Sequence, residues 1–188
     1  MNKSILAFII GSSISFSALA ANRYTVDPSH TFPSFEISHL GFSTQRGRFD
    51  ETSGKITLDT KAKTGNINIT IKTASISTGL AELEKHLRSE DFLDAERFPE
   101  ITFASNQLTF NNEKLIGVDG DLTIHGVTKP VHLNLTHFYC GISMITMKSV
   151  CGANATTTIK RSDFSVSKYV PAIGNDVNIS IQIEAIKD

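Results

Sequence analysis

Six histidines are the first residues to test for chemistry. None stands in an H-x-H, H-E-x-x-H or H-x-x-E-H spacing, the patterns that set two imidazoles on one face of a strand or helix for zinc. His125 and His132 come nearest, since a hairpin between them would bring the two together. His39 and His137 ask a different question. His39 shares an alternating face with Phe35 and Ile37, and His137 continues the register of Leu133 and Leu135. Inward imidazoles have two readings. They line a cavity and hold a polar head group, or they are core histidines satisfied by a neighbouring hydroxyl or carbonyl.

Other catalytic constellations have little support. There is no G-x-S-x-G nucleophile elbow and no Gly-rich phosphate loop after a strand. The carboxylates Glu90, Asp91 and Glu96 fall in a helical stretch, where a solvated face explains them. The chain is therefore expected not to be an enzyme. Two cysteines, Cys140 and Cys151, lie close in sequence. If the chain is exported they are expected to pair, and closing so short a loop is worth roughly 3 kcal/mol on the chain-entropy argument. The other reading is two free thiols.

Export is expected from the first twenty residues. Lys3 gives a positive start, Ile5–Ile10 an apolar run, and Ala18-Leu19-Ala20 an A-x-A cleavage site before Ala21. The other reading, a membrane anchor, is disfavoured because the run is shorter than the ~20 residues a spanning helix needs. Cleavage after Ala20 leaves one domain over residues 21–188. Its charge is close to balanced, with no block of like charge, no Trp and three Tyr. That composition gives no nucleic-acid surface.

The elements that must position these residues are strands. Phe35–His39, Ile67–Ile71, Val131–Leu135 and Val177–Ile183 alternate apolar and polar residues, the mark of half-buried antiparallel strands. Turns are expected at Thr52-Ser53-Gly54, Thr64-Gly65-Asn66, Asn111–Lys114 and Val127–Pro130. The fold class is all-β, either a sandwich or a barrel. One stretch breaks the pattern. Leu80, Leu83 and Leu87 at helical spacing predict a helix over about 80–88, capped by Thr78 or Gly79, with a further turn near 90–96.

Alternation turns a large apolar set inward. On the early strands it includes Phe35, Ile37, Phe49, Ile69 and Ile71. Further along it includes Phe103, Phe110, Leu122, Ile124, Phe138 and Ile181. A barrel of about eight strands can be filled by such side chains or can hold a ligand among them.

Several motifs carry a family resemblance. They are Tyr24-Thr25-Val26-Asp27-Pro28-Ser29-His30, Ile37–Gly41, Arg46–Phe49 and Ser75–Gly79. His86–Phe92, Phe98–Ser105, Gly120–Lys129, Arg161–Phe164 and Gly174–Val177 follow in order. Across nearly the whole mature chain the sequence resembles the YceI-like, polyisoprenoid-binding family. The resemblance implies an extended lipocalin-like barrel of eight antiparallel strands with a short helical insert. It also implies a periplasmic location and a tunnel for a long isoprenoid or similar amphiphile, such as a quinone or polyprenyl phosphate. No cofactor beyond that lipid is expected. A membrane protein that donates or accepts the lipid is an expected partner. The inward residues above would hold the tail together with Phe164, and His39 and Arg161 would fix the head. There are two departures from the family pattern. Leu83-Glu84 stand where a basic residue and Asp are usual, and Ser165 stands where Gly is usual. The rival reading is a secreted, stress-related interaction protein with a filled barrel and no ligand.

Overall fold

The computed structural model describes residues 21–188, so the expected leader over residues 1–20 lies outside the described residues. The strands are β1 (Asn22–Val26), β2 (Phe32–His39), β3 (Ser43–Phe49), β4 (Thr52–Asp59), β5 (Thr64–Lys72), β6 (Ile76–Ser77), β7 (Glu100–Asn111), β8 (Lys114–Ile124), β9 (Val127–Ile142), β10 (Ser149–Lys160) and β11 (Ile173–Lys187). Among the described residues a single α-helix, α1, spans Ala81–Arg88. The order β1-β4-β5-β7-β8-β9-β10-β11 closes on itself through β1–β11, giving an antiparallel barrel of eight strands. β2, β3 and β6 extend it beyond β11 at one end, as continuations of the strands that β1, β4 and β5 form at the other. Closure leaves the ring without free edges, which alternating strands of this length would otherwise present.

The Asp27–Thr31 segment breaks the first strand into β1 and β2. Pro28 opens a single 3-10 turn, and the Asp27 carboxylate accepts from Ser29 N at 2.9 Å and meets His30 Nδ1 at 2.8 Å. Thr31, fully buried, exchanges hydrogen bonds with the backbone of Glu184 on β11. The kink is thereby pinned to the last strand. The hydrogen bond to Asp27 is the main cause that raises the His30 pKa above its ordinary 6.5, and the same bond lowers Asp27 below 3.8. The signs fix the pH dependence. His30 stabilises fully below pH 6.5, and its contribution fades as pH rises through the higher folded value. Asp27 stabilises fully above 3.8, and its contribution fades as pH falls through the lower folded value. We expect a shallow loss of thermal stability above pH 6.5 that His30→Gln abolishes. Melting curves from pH 5 to 9 check it, and an unchanged slope in the variant would contradict it.

Three expected turns are strand instead. Thr52–Gly54 pair with Ile69–Ile71, Thr64–Asn66 pair with Thr57–Asp59, and Val127–Pro130 pair with Asp121–Ile124. The chain reverses nearby. Residues 60–63 turn on Asp59, whose carboxylate accepts from Lys61 N and Ala62 N. His125 and Gly126, both at positive φ, make the two-residue reversal between β8 and β9. The turn at Asn112–Glu113 falls where expected.

The helix also falls where expected, with a different cap. Leu80 is its N-cap and makes no side-chain bond there. The Glu84 carboxylate instead reaches back and accepts from Thr78 N at 2.8 Å and Gly79 N at 3.1 Å, which holds its pKa below the usual range. The acidic departure from the family pattern thus has a capping role, and Leu83 is freed to face inward. Ser165, the other departure, sits at φ 63° closing the Arg161–Phe164 turn. That left-handed conformation is easy for Gly and costs an L residue about 1–2 kcal/mol. Gly loses more entropy on folding, so Ser165→Gly is expected to gain about 1 kcal/mol or less, a rise of roughly 2–4 °C in Tm. A scanning-calorimetry comparison checks it, and a lower Tm in the variant would contradict it.

Cys140 and Cys151 stand directly opposite each other on β9 and β10, 4.0 Å apart at Cα, and are joined by a disulfide. Just before it, the register between β9 and β10 shifts by one residue, with Asn154 opposite His137 and Ala155 opposite Leu135. This β-bulge resets the alternation. Phe138 therefore faces inward, and His137 is exposed rather than inward.

Candidate functional site

The barrel is not filled. Its interior holds a cavity of about 820 Å³, near the upper part of the roughly 300–1,000 Å³ range of ligand sites. Its wall is overwhelmingly aliphatic and aromatic. Ile69, Leu133, Leu135, Ile179 and Ile181 point into it and are only half-buried, because they face open space rather than a packed partner. Such residues in a filled core would be excluded from water.

One end is closed. Tyr24, Leu58, Cys151 and Ala185 are buried together, with Phe110 and Phe138 packed on them. Phe110, expected to face the interior, belongs to this plug and does not line the cavity. The opposite end carries α1 and the segments between strands. Leu83 and Leu87 of α1, with its N-cap Leu80, Phe92 and Leu93, line the cavity there. His86, Phe92 and Tyr169 form an aromatic group with ring centroids 5.0–6.4 Å apart. Polar side chains gather at this mouth: His39, Gln45, Arg46, Thr78, Glu82 and His86. Glu82 and His86 lie one helical turn apart.

The structure brings the expected site residues together. Phe35, Ile37, Phe49, Ile69, Ile71, Phe103, Leu122, Ile124, Phe138, Phe164 and Ile181 all line the one cavity, as do His39 and Arg161. Their surroundings differ. His39 is half-buried near the mouth and has no side-chain hydrogen-bond partner among the described residues. Arg161 is engaged in the wall. Its Nε donates to Gly174 O, one terminal nitrogen to Val166 O, and the other to Lys168 O and Ile173 O, at 2.8–3.1 Å. Four of its five N–H donors are thus spent on backbone carbonyls of the 161–174 crossover, which it clamps shut. Deeper in, Thr52 places a buried Oγ1 on the wall with no partner among the described residues.

The histidine pair weighed for a metal does not converge. His132 Nδ1 meets Asp119 Oδ1 at 2.7 Å, while His125 packs on Phe98 with centroids 4.4 Å apart. His132 lies five residues along β9 from the turn that holds His125, roughly 16 Å at strand rise. The ligand atoms of Asp27, His30 and Glu184 do lie within 4.8 Å of one another. Here Asp27 and His30 are already bound to each other in the strand kink.

The residues of α1 and Phe92 were missed as lining by sequence reasoning, although the Leu80, Leu83, Leu87 stripe was visible. The stripe marks a helix, and its spacing alone does not say what that helix covers. Tyr169 carries no sequence signal of its own and reaches the mouth only because the Arg161 clamp folds its segment there.

Comparison with known proteins agrees with this geometry. The YceI-like domain family model matches residues 24–185, which is the barrel from its first strand to its last. A UPF0312 protein of Pseudomonas putida is 36% identical over 191 residues, spanning 100% of this chain and 98% of that protein. A UPF0312 protein of Photorhabdus laumondii is 36% identical over 192 residues, spanning 100% and 99%. Among solved structures, a Campylobacter jejuni YceI protein is 30% identical with a TM-score of 0.68, covering 81% of this chain and 90% of that one. A polyisoprenoid binding domain from Saccharophagus degradans shares the fold at a TM-score of 0.66 and 17% identity, covering 88% and 98%. With the match running through the full barrel, the chain belongs to the YceI-like domain family.

Proposed function

We propose that the protein is an exported carrier or reservoir that binds the tail of a long isoprenoid or similar amphiphilic lipid in its tunnel. The single observation that carries this reading is the open, apolar cavity with one closed end and a polar mouth. Each CH₂ moved from water into such a space is worth about 0.8 kcal/mol, so a long tail needs few directed contacts. Those available at the mouth are His39, Gln45, Thr78 and His86, with one remaining N–H of Arg161. A quinone or a polyprenyl phosphate fits this division into apolar depth and polar rim. The polyisoprenoid-binding description of the Saccharophagus domain supports the same ligand class for this chain. Catalysis is not part of the proposal. Export rests on the leader pattern, and the disulfide is compatible with it. The lipid would be received from, or delivered to, a membrane protein.

Native mass spectrometry after gentle purification tests the reading. The expected result is a copurifying isoprenoid, or a higher melting temperature when isoprenoids are added to stripped protein. Protein shown to be ligand-free, with no gain in melting temperature, would sink it.

A further inference from the structure

The hairpin between β9 and β10 projects past its neighbours at the closed end of the barrel. β9 continues to Ile142, whereas β8, its partner on that side, begins only at Lys114, near the level of Thr136 and His137. At the tip, Met144 is 90% and Ile145 94% exposed, with Met147, Ile142 and Tyr139 exposed beside them. Isolated exposed apolar side chains are ordinary, but a contiguous group on one finger marks a contact surface.

The finger holds its shape. Ser143 N donates to Lys148 O and Met147 N to Ser143 O, while Ser143 Oγ accepts from Ile145 N and Thr146 N. The Cys140–Cys151 disulfide ties its two strands immediately below. Nothing in the barrel rewards these side chains for pointing outward.

Charge indicates what covers them. Between Asp121 and Asp163 the sequence holds no Asp or Glu, so the whole hairpin lacks carboxylates. Lys148 adjoins the tip, with no salt-bridge partner among the described residues. On the adjacent strand the Asp188 carboxylate is already engaged by Thr25 and Lys55. Tyr139 stands outward one register below the disulfide, where an amphipathic ring would meet the level of lipid head groups once the tip is inserted. An apolar tip with an aromatic shoulder, a lysine and no carboxylate beside it fits an interfacial membrane contact. A protein partner is a poorer fit. Three tip side chains offer less than the ~800 Å² per partner of a stable protein interface, and the finger has no rim of mixed charge.

We propose that the β9–β10 tip is a membrane anchor: Met144, Ile145 and Met147 insert into the interface of an anionic bilayer, with Lys148 on the phosphates. The barrel would then stand on its closed end, with the α1 mouth directed away from that bilayer. This inference does not depend on what the tunnel binds.

Flotation with vesicles of equimolar phosphatidylcholine and phosphatidylglycerol tests it. The comparison variant is the triple substitution Met144→Ser, Ile145→Ser, Met147→Ser, all at exposed sites. Wild-type protein is expected to float with the vesicles, and the variant to bind at least about tenfold more weakly at an unchanged melting temperature. Wild-type binding should weaken on pure phosphatidylcholine and at high salt. The proposal is overturned if the wild type does not float, if the variant floats equally, or if the tip instead supports a dimer that the triple variant loses. Binding of an isoprenoid probe, measured on both proteins, keeps failure of the anchor distinct from failure of the tunnel.

Discussion

Ile181→Glu is expected to weaken binding of an isoprenoid probe by at least about 100-fold while leaving the barrel folded. Ile181 lies on β11 opposite Ala155 and Pro33, facing the tunnel. No basic side chain stands opposite it in the register, so a carboxylate there has no partner once a tail excludes water. In the empty tunnel the same carboxylate is hydrated, which is why the fold tolerates it. Burial beside a ligand would raise its pKa. Affinity should therefore recover in part as pH falls and the group becomes neutral. Ile181→Met conserves volume and apolarity and should bind nearly as the wild type does. Fluorescence displacement titrations read all three proteins. Wild-type affinity in the Glu variant would mean that the tail does not reach this depth.

Arg161→Met is expected to cost about 3–5 kcal/mol of stability, on the scale of breaking a buried charged network. Arg161 is 6% exposed, and its guanidinium satisfies the carbonyls of Val166, Lys168, Ile173 and Gly174 at once. Truncation leaves those acceptors without donors and releases the crossover that carries Phe164 and Tyr169. Arg161→Lys should recover little, because an ammonium cannot span the same fork. Urea unfolding measures the loss. Lipid binding, measured below the variant's melting temperature, separates the two roles assigned to this residue. A variant as stable as wild type that no longer binds lipid would make Arg161 a head-group ligand and contradict the clamp.

Much of the architecture was legible because period-two alternation survives in the folded sheet. Ile67–Ile71 and Val177–Ile183 face as their spacing says, and the interior set they belong to does line one cavity. What was not legible depended on partners distant in sequence. His137 was assigned inward because a one-residue bulge opposite Asn154 is invisible to a repeat read on one strand. Gly54 and Gly65 were read as turns, although strands also hold glycine where a neighbouring strand comes close. Gly47 shows the same use: a Cβ there would lie 2.5 Å from the Phe35 ring, which lies across it as it lines the tunnel. Arg161 looked like a ligand-binding cation because its carbonyl partners lie 5 to 13 residues away in an irregular segment. Whether the barrel was filled or open could not follow from composition, since the same aliphatic side chains serve both.

The most direct test of the tunnel is a chain-length series. Stripped protein is titrated with isoprenoids of one head group and increasing tail length. From Ala185 at the plug to Ile173 at the mouth, twelve strand residues tilted as in a barrel give a depth of roughly 30 Å. The account predicts affinity that climbs with each added unit and levels off once the tail spans that depth. Affinity that is independent of tail length would contradict it.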